Sequence, residues 1–145
     1  MTQGQVSLKV VGDRLALARR CIADLEQLAA LGRQAFESDR RNPAAADSFL
    51  RRAIEALFDA ARHLLAKRHG LAGLEYREVA RLAAEHGIVT DGPLAARLLE
   101  VAGFRNRLAH YYDEVTPAEL FDVITADLDD LRAFAREIEA AAGRR

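Results

Sequence analysis

Apolar residues recur at spacings of three and four along most of this chain, and nowhere do they alternate over the length of a strand. That period lines one face of an α-helix and cannot line one face of a pleated strand, so it excludes a sheet as the organising element. Val11, Leu15, Ala18, Ile22, Leu25 and Leu28 form the first stripe, which predicts a helix from about Val6 into the mid-thirties. Ser38 to Asn42 is a polar break. Asn42-Pro43 then reads as an N-cap followed by proline at the first helical position, where a missing N–H costs nothing. The helix that starts there carries Leu50, Ile54, Leu57, Ala61, Leu64 and Leu65 and ends near Gly70. Tyr76, Val79, Leu82 and Ala83 mark a short third helix, stopped by Gly87 just past its end. Gly92-Pro93 opens a fourth, with Leu94, Leu98 and Val101. Thr116-Pro117-Ala118-Glu119 joins a capping box to proline at the first position and starts a fifth, whose stripe is Leu120, Ile124, Leu128, Leu131, Phe134 and Ile138. No Asn-Gly hairpin and no internal repeat is present. The expected architecture is all-α: an antiparallel bundle of four main helices with a short extra one at one end.

A chain of 145 residues suits one domain, 1–145, able to bury about two thirds of its unfolded surface in a single core. No stretch approaches the ~18 uninterrupted apolar residues of a membrane span, and no leader pattern opens the chain, so a cytoplasmic protein with no membrane partner is expected. Cys21, the one cysteine, lies in an apolar helical pattern and reads as a core residue; a disulfide framework and a cysteine zinc cluster are excluded within one chain. Net charge is −1, which supplies no global attraction for nucleic acid. The charge is unevenly placed, however. Arg40 to Arg68 holds seven basic residues against Asp47, Glu55 and Asp59, whereas Asp113 to Glu139 holds nine acidic residues against Arg132 and Arg136. A groove for RNA would therefore be built from the middle of the chain with Arg105 and Arg107, the last helix turned away.

The run Arg105-Asn106-Arg107-Leu108-Ala109-His110-Tyr111-Tyr112 puts a fixed cation, an imidazole and a phenol within two helical turns. Arginine presents a planar fork that matches phosphate oxygens, and histidine is the side chain type that takes and gives a proton near neutrality. Upstream, Glu55, Asp59 and His63 stand at i, i+4 and i+8, one line roughly opposite their helix's apolar stripe. Three readings are open for this line: an exposed face with intrahelical pairing, a face turned to the motif where Glu55 or Asp59 fixes Arg105 or orients an imidazole, and a metal site. The last ranks lowest, because no Glu-x-x-His pair or second histidine at i+4 completes a ligand set. Gly103 sits inside the helical pattern at a cost of about 1 kcal/mol relative to alanine, which points to the close approach of another group. On an ideal helix Arg105 and Tyr112 share a face, but His110 is turned about 140° from Arg105. For Arg105 and His110 to meet, the arginine must bend round, the helix must loosen near Tyr111, or the two must come from different subunits.

Arg-x-x-x-x-His-x-Tyr with Asn106 after the arginine resembles the signature of the HEPN superfamily, and specifically of HepT-type ribonuclease toxins. The likeness extends through Ile54-Glu55, Asp59-Ala60-Ala61-Arg62-His63-Leu64, Tyr76-Arg77-Glu78-Val79, Gly103-Phe104-Arg105-Asn106-Arg107-Leu108 and His110-x-Tyr112, from about Leu50 to Ile138; the first forty residues carry less of it. The resemblance implies an all-helical homodimer whose Arg and His line a cleft at the two-fold axis. It also implies a metal-independent endoribonuclease, the toxin of a type VII-like pair, in which the RNA's own 2′-OH is the nucleophile. Arg105 and His110 would then be catalytic, Asn106 would orient hydrogen bonds, and Glu55, Asp59 and His63 would support them. No cofactor and no metal are implied. The implied partner is an MntA-like nucleotidyltransferase antitoxin that adds AMP to Tyr112, with Tyr111 a neighbouring phenol. An alternative is a non-catalytic helical module that holds nucleotide or phosphate and serves only as the nucleotidyltransferase's regulatory partner.

Overall fold

The computed structural model describes residues 4–110 and 115–144, and every regular element among them is helical. The elements are α1 (Leu8–Ala29), α2 (Arg33–Ser38), α3 (Arg41–His69), α4 (Tyr76–Glu85), α5 (Gly92–Ala109), α6 (Pro117–Ala126) and α7 (Leu128–Gly143). The all-α bundle is as expected, but two of the five expected helices are split. The first is broken at Gly32, whose φ of 83° lies in the left-handed region that favours glycine; its apolar stripe ends at Leu28, short of the mid-thirties where the expected helix ends. The last is broken at Asp127, whose φ of −112° and ψ of 1° separate α6 from α7. Just before it, the Thr125 hydroxyl donates to the carbonyls of Phe121 and Asp122 at 2.8 and 3.0 Å, a competition with the backbone ladder that bends helices.

The start of α3 also differs from the sequence reading. Asn42 is not its N-cap: the helix begins at Arg41, and the Asp39 carboxylate accepts the Arg41 N–H at 2.9 Å. Pro43 remains within the first turn, where its missing N–H is still free of cost. The Arg41 guanidinium beside Asp39 holds that carboxyl down at about 2. At the other end Gly70 adopts φ 68° and its N–H closes on the carbonyls of Ala66 and Leu65, as a glycine C-cap should.

Helix α3 is the centre of the molecule and packs on all six other helices. Alanines at 46, 53, 56, 60 and 61 are buried along it, and their small side chains let neighbours approach on several sides. Phe58 is fully buried and meets Phe134 of α7 edge-on at 5.3 Å and Tyr76 of α4 at 5.6 Å. Cys21 is buried, and burial pushes its thiol up. Among the described residues no polar or charged side chain is fully buried. No described helix is long and apolar enough to cross a membrane.

Candidate functional site

The line Glu55-Asp59-His63 is what remains polar on α3 once its other sides are covered, and the three residues diverge in the fold. Glu55 faces α5: its Oε2 accepts from Arg105 Nε at 3.0 Å and Nη2 at 2.7 Å. Both side chains are about a quarter exposed, at 31% and 22%, so water screens the pair only in part and the geometry is tighter than a surface contact. Asp59 is taken instead by Arg62, three residues on, at 2.8 Å. His63 points to the other end of the fold, where its Nε2 accepts the Ser7 N–H at 2.9 Å. It touches neither Arg105 nor His110. Among the described residues no three His, Cys, Asp or Glu side chains come together as a metal site would require.

His63 holds down the entry to α1. Ser7 caps that helix with its own hydroxyl, which accepts from Val10 N–H at 3.2 Å, while its backbone N–H is spent on the imidazole. A nitrogen that accepts a hydrogen bond must be unprotonated. Burial, and then the charge of Lys67, lower the His63 pKa from its ordinary value. The folded state thus prefers neutral imidazole, so this contribution is complete above about pH 6.5 and is lost as pH falls toward the lowered folded pKa. His63→Ala should cost about 1 kcal/mol at pH 7.5 and flatten the loss of stability below pH 6.5. Urea unfolding at pH 7.5 and 5.5 checks this; equal pH dependence in parent and variant would refute it.

Arg105 lies two residues after Gly103 on α5. Its guanidinium stacks over the Tyr76 ring at 4.2 Å, and Arg62 lies over the same ring at 5.0 Å. Tyr76 is therefore the floor of the site, with Phe58 beneath it. Burial pushes the Tyr76 phenol up, against the opposing effect of Arg105, so it stays protonated. Asn106 Oδ1 faces Arg105 Nη1 at 3.4 Å. Arg107, expected beside Arg105 in the groove, points elsewhere and holds Glu119 at the start of α6 with two bonds of 2.5 and 3.0 Å. Its hydrogen bonds, and then its charge, lower the Glu119 pKa against the opposing effect of burial.

The helical-wheel obstacle is removed by where α5 stops. Its last residue is Ala109, and His110 has φ −111° and ψ 104°, an extended residue. The His110 N–H is shared between the carbonyls of Asn106 and Arg107, both at 3.2 Å. The angle expected for a continuous helix no longer applies. Arg105, Asn106 and His110 line one open cleft of about 510 Å³, together with Arg62, Tyr76 and Arg77 from α3 and α4. Within one chain the fold offers a fixed cation, an amide and an exposed imidazole to the same ligand. Tyr111 and Tyr112 lie outside the described residues. Sequence reasoning placed Tyr76 and Arg77 in the run that carries the family likeness but gave neither a role in the site; the further signal for Arg77 was the close approach implied by Gly103.

The profile of the family described as Ribonuclease HepT-like matches residues 18–138. A curated relative, the mRNA nuclease HepT of Shewanella oneidensis, is 27% identical over 131 residues, covering 90% of this chain and 97% of its own. The solved structure of the tri-AMPylated Shewanella oneidensis HEPN toxin in complex with MNT antitoxin superposes with a TM-score of 0.82 at 26% identity, covering 92% of this chain and 99% of that one. A crystal structure of a toxin–antitoxin with AMP-PNP gives 0.80 at 26% identity, covering 91% and 98%.

Proposed function

This chain belongs to the Ribonuclease HepT-like family, and from that premise we propose that it is an RNA endonuclease, the toxin of a toxin–antitoxin pair, acting through Arg105 and His110. The observation that carries the reading is the end of α5 at Ala109, which turns His110 into the cleft that Arg105 already lines. In this reaction the RNA's 2′-OH loses its proton to a general base and attacks the adjacent phosphorus. The P–O5′ bond breaks, leaving a 2′,3′-cyclic phosphate and a 5′-hydroxyl that takes up a proton; no water is consumed. His110 acts as base or acid in these transfers. Arg105 stabilises charge on the phosphoryl oxygens, held in place by Glu55 and Tyr76, while Asn106 orients the substrate by hydrogen bonds. None of these steps calls on a metal or cofactor. A homodimer would set two such clefts side by side.

Neutralisation follows the same chemistry. The antitoxin in this proposal is a nucleotidyltransferase of the MntA type, and AMP on Tyr112, seven residues after Arg105 in the sequence, adds bulk and negative charge that oppose RNA both sterically and electrostatically. Co-expression with an MntA-type nucleotidyltransferase antitoxin should add AMP at Tyr112 and suppress cleavage of total RNA that the protein alone carries out with chelator present. Tyr112→Phe should escape modification and Tyr111→Phe should not, as read by intact-mass and peptide mass spectrometry. AMP confined to Tyr111, or an unmodified parent, would refute the assignment. RNA bound but left intact by the protein alone would favour the non-catalytic module.

A further inference from the structure

Gly103 and Arg77 are explained by each other. A Cβ at position 103 would stand 2.8 Å from Arg77 Nη2, closer than a Cβ comes to a neighbouring atom, so the glycine is what allows the Arg77 guanidinium to lie against α5 in this position. Arg77 comes from the first turn of α4 and lines the same cleft as Arg105, Asn106 and His110. Three carboxylates already hold other arginines. Glu55 binds Arg105, Asp59 binds Arg62 and Glu119 binds Arg107, whereas among the described residues no carboxylate comes within ion-pair distance of Arg77. Glu75, at the rim of the cleft, pairs with no arginine either. A guanidinium seated over a bare helix backbone and left without a counter-ion is a site for an anion that arrives from outside.

We propose that Arg77 is a second phosphate seat of this cleft: it binds the backbone phosphate of a nucleotide flanking the one that is cut and so sets the register of the RNA strand. The inference rests on the ribonuclease reading, with Arg105 and His110 at the scissile phosphate and Arg77 one step along the chain. Gly103 is the packing device that keeps the seat open. Alanine there forces the guanidinium aside, so Gly103→Ala should weaken RNA binding in the same direction as Arg77→Ala although it removes no charge.

The test is binding of a single-stranded oligoribonucleotide to a His110→Ala parent, followed by fluorescence anisotropy over a range of salt. Arg77→Ala is expected to weaken binding about tenfold at low salt and to reduce the slope of log K against log salt by about 0.7, the loss of one phosphate contact on a single strand. Arg77→Lys, which keeps a point charge, should restore most of that slope. Gly103→Ala should weaken binding while its thermal melt shows a folded protein. An unchanged slope in Arg77→Ala, with RNA that the unmutated protein cuts, overturns this inference alone. An unmutated protein that binds RNA and never cuts it overturns the ribonuclease reading and leaves the seat standing if the slope still falls.

Discussion

Replacing His110 with alanine is expected to lower RNA cleavage by roughly 10²-fold or more, the size of effect associated with losing a positioned acid–base group. His110 is exposed and lies beyond the last residue of α5, so its removal buries nothing new and leaves no polar partner stranded; the melting temperature should stay that of the parent. Arg105→Ala should match or exceed the kinetic loss, at roughly 10²- to 10³-fold, because a charge aimed at the transition state is gone. That variant differs in its stability. It leaves Glu55 without the two hydrogen bonds it accepts and uncovers the face of Tyr76, a cost of about 1–3 kcal/mol. Arg105→Lys retains the charge and loses the fork, so it should recover folding stability more fully than activity. Single-turnover cleavage rates paired with thermal melts separate the two effects. A folded His110→Ala protein that cuts at the parent rate would remove the imidazole from the mechanism.

Phe58→Ala should be the most damaging single substitution in the fold, at about 3–5 kcal/mol, a large share of the ~5–15 kcal/mol that holds a domain of this kind together. Phe58 is fully buried on α3, in contact with rings on α4 and α7. Its loss opens a cavity at the junction of three helices. The effect reaches the cleft because the same ring supports Tyr76, and Tyr76 supports Arg105. Phe58→Leu fills part of the space and should cost less, while still loosening Tyr76. Urea titration gives the stability change, and cleavage measured well below the midpoint gives the change at the site. An unmoved midpoint in Phe58→Ala would contradict this account of the core.

Some of the site was legible in residue order alone and some was not, and the division has physical causes. Arg105, Asn106 and His110 stood out because their side-chain chemistry and spacing are local facts. Glu55 was one of two carboxylates named for Arg105. The choice between Glu55 and Asp59 rested on Arg62, a residue on the same helix face that occupies Asp59 first. His63 belonged to the same polar line and was recruited by the backbone of Ser7, 56 residues earlier in the chain. Arg107 looked equivalent to Arg105 and is bound to α6 instead. Each of these outcomes depends on which helix lies opposite a given face, and periodicity carries no record of that.

What the order of residues determines by itself is the helical state of nearly the whole chain, its apolar faces, and the stops and starts carried by Gly70, Gly87, Gly92-Pro93 and Thr116-Pro117. These follow from backbone stereochemistry and from hydrogen bonds within a few residues, so no distant contact is needed to read them. Only the tertiary structure decides that α5 ends at Ala109, that Arg77 crosses Gly103, and that His63 serves α1 and not the cleft. Local preference at such points differs by no more than about 1 kcal/mol between alternatives, and partners from elsewhere in the chain, each contributing a comparable amount, select among them.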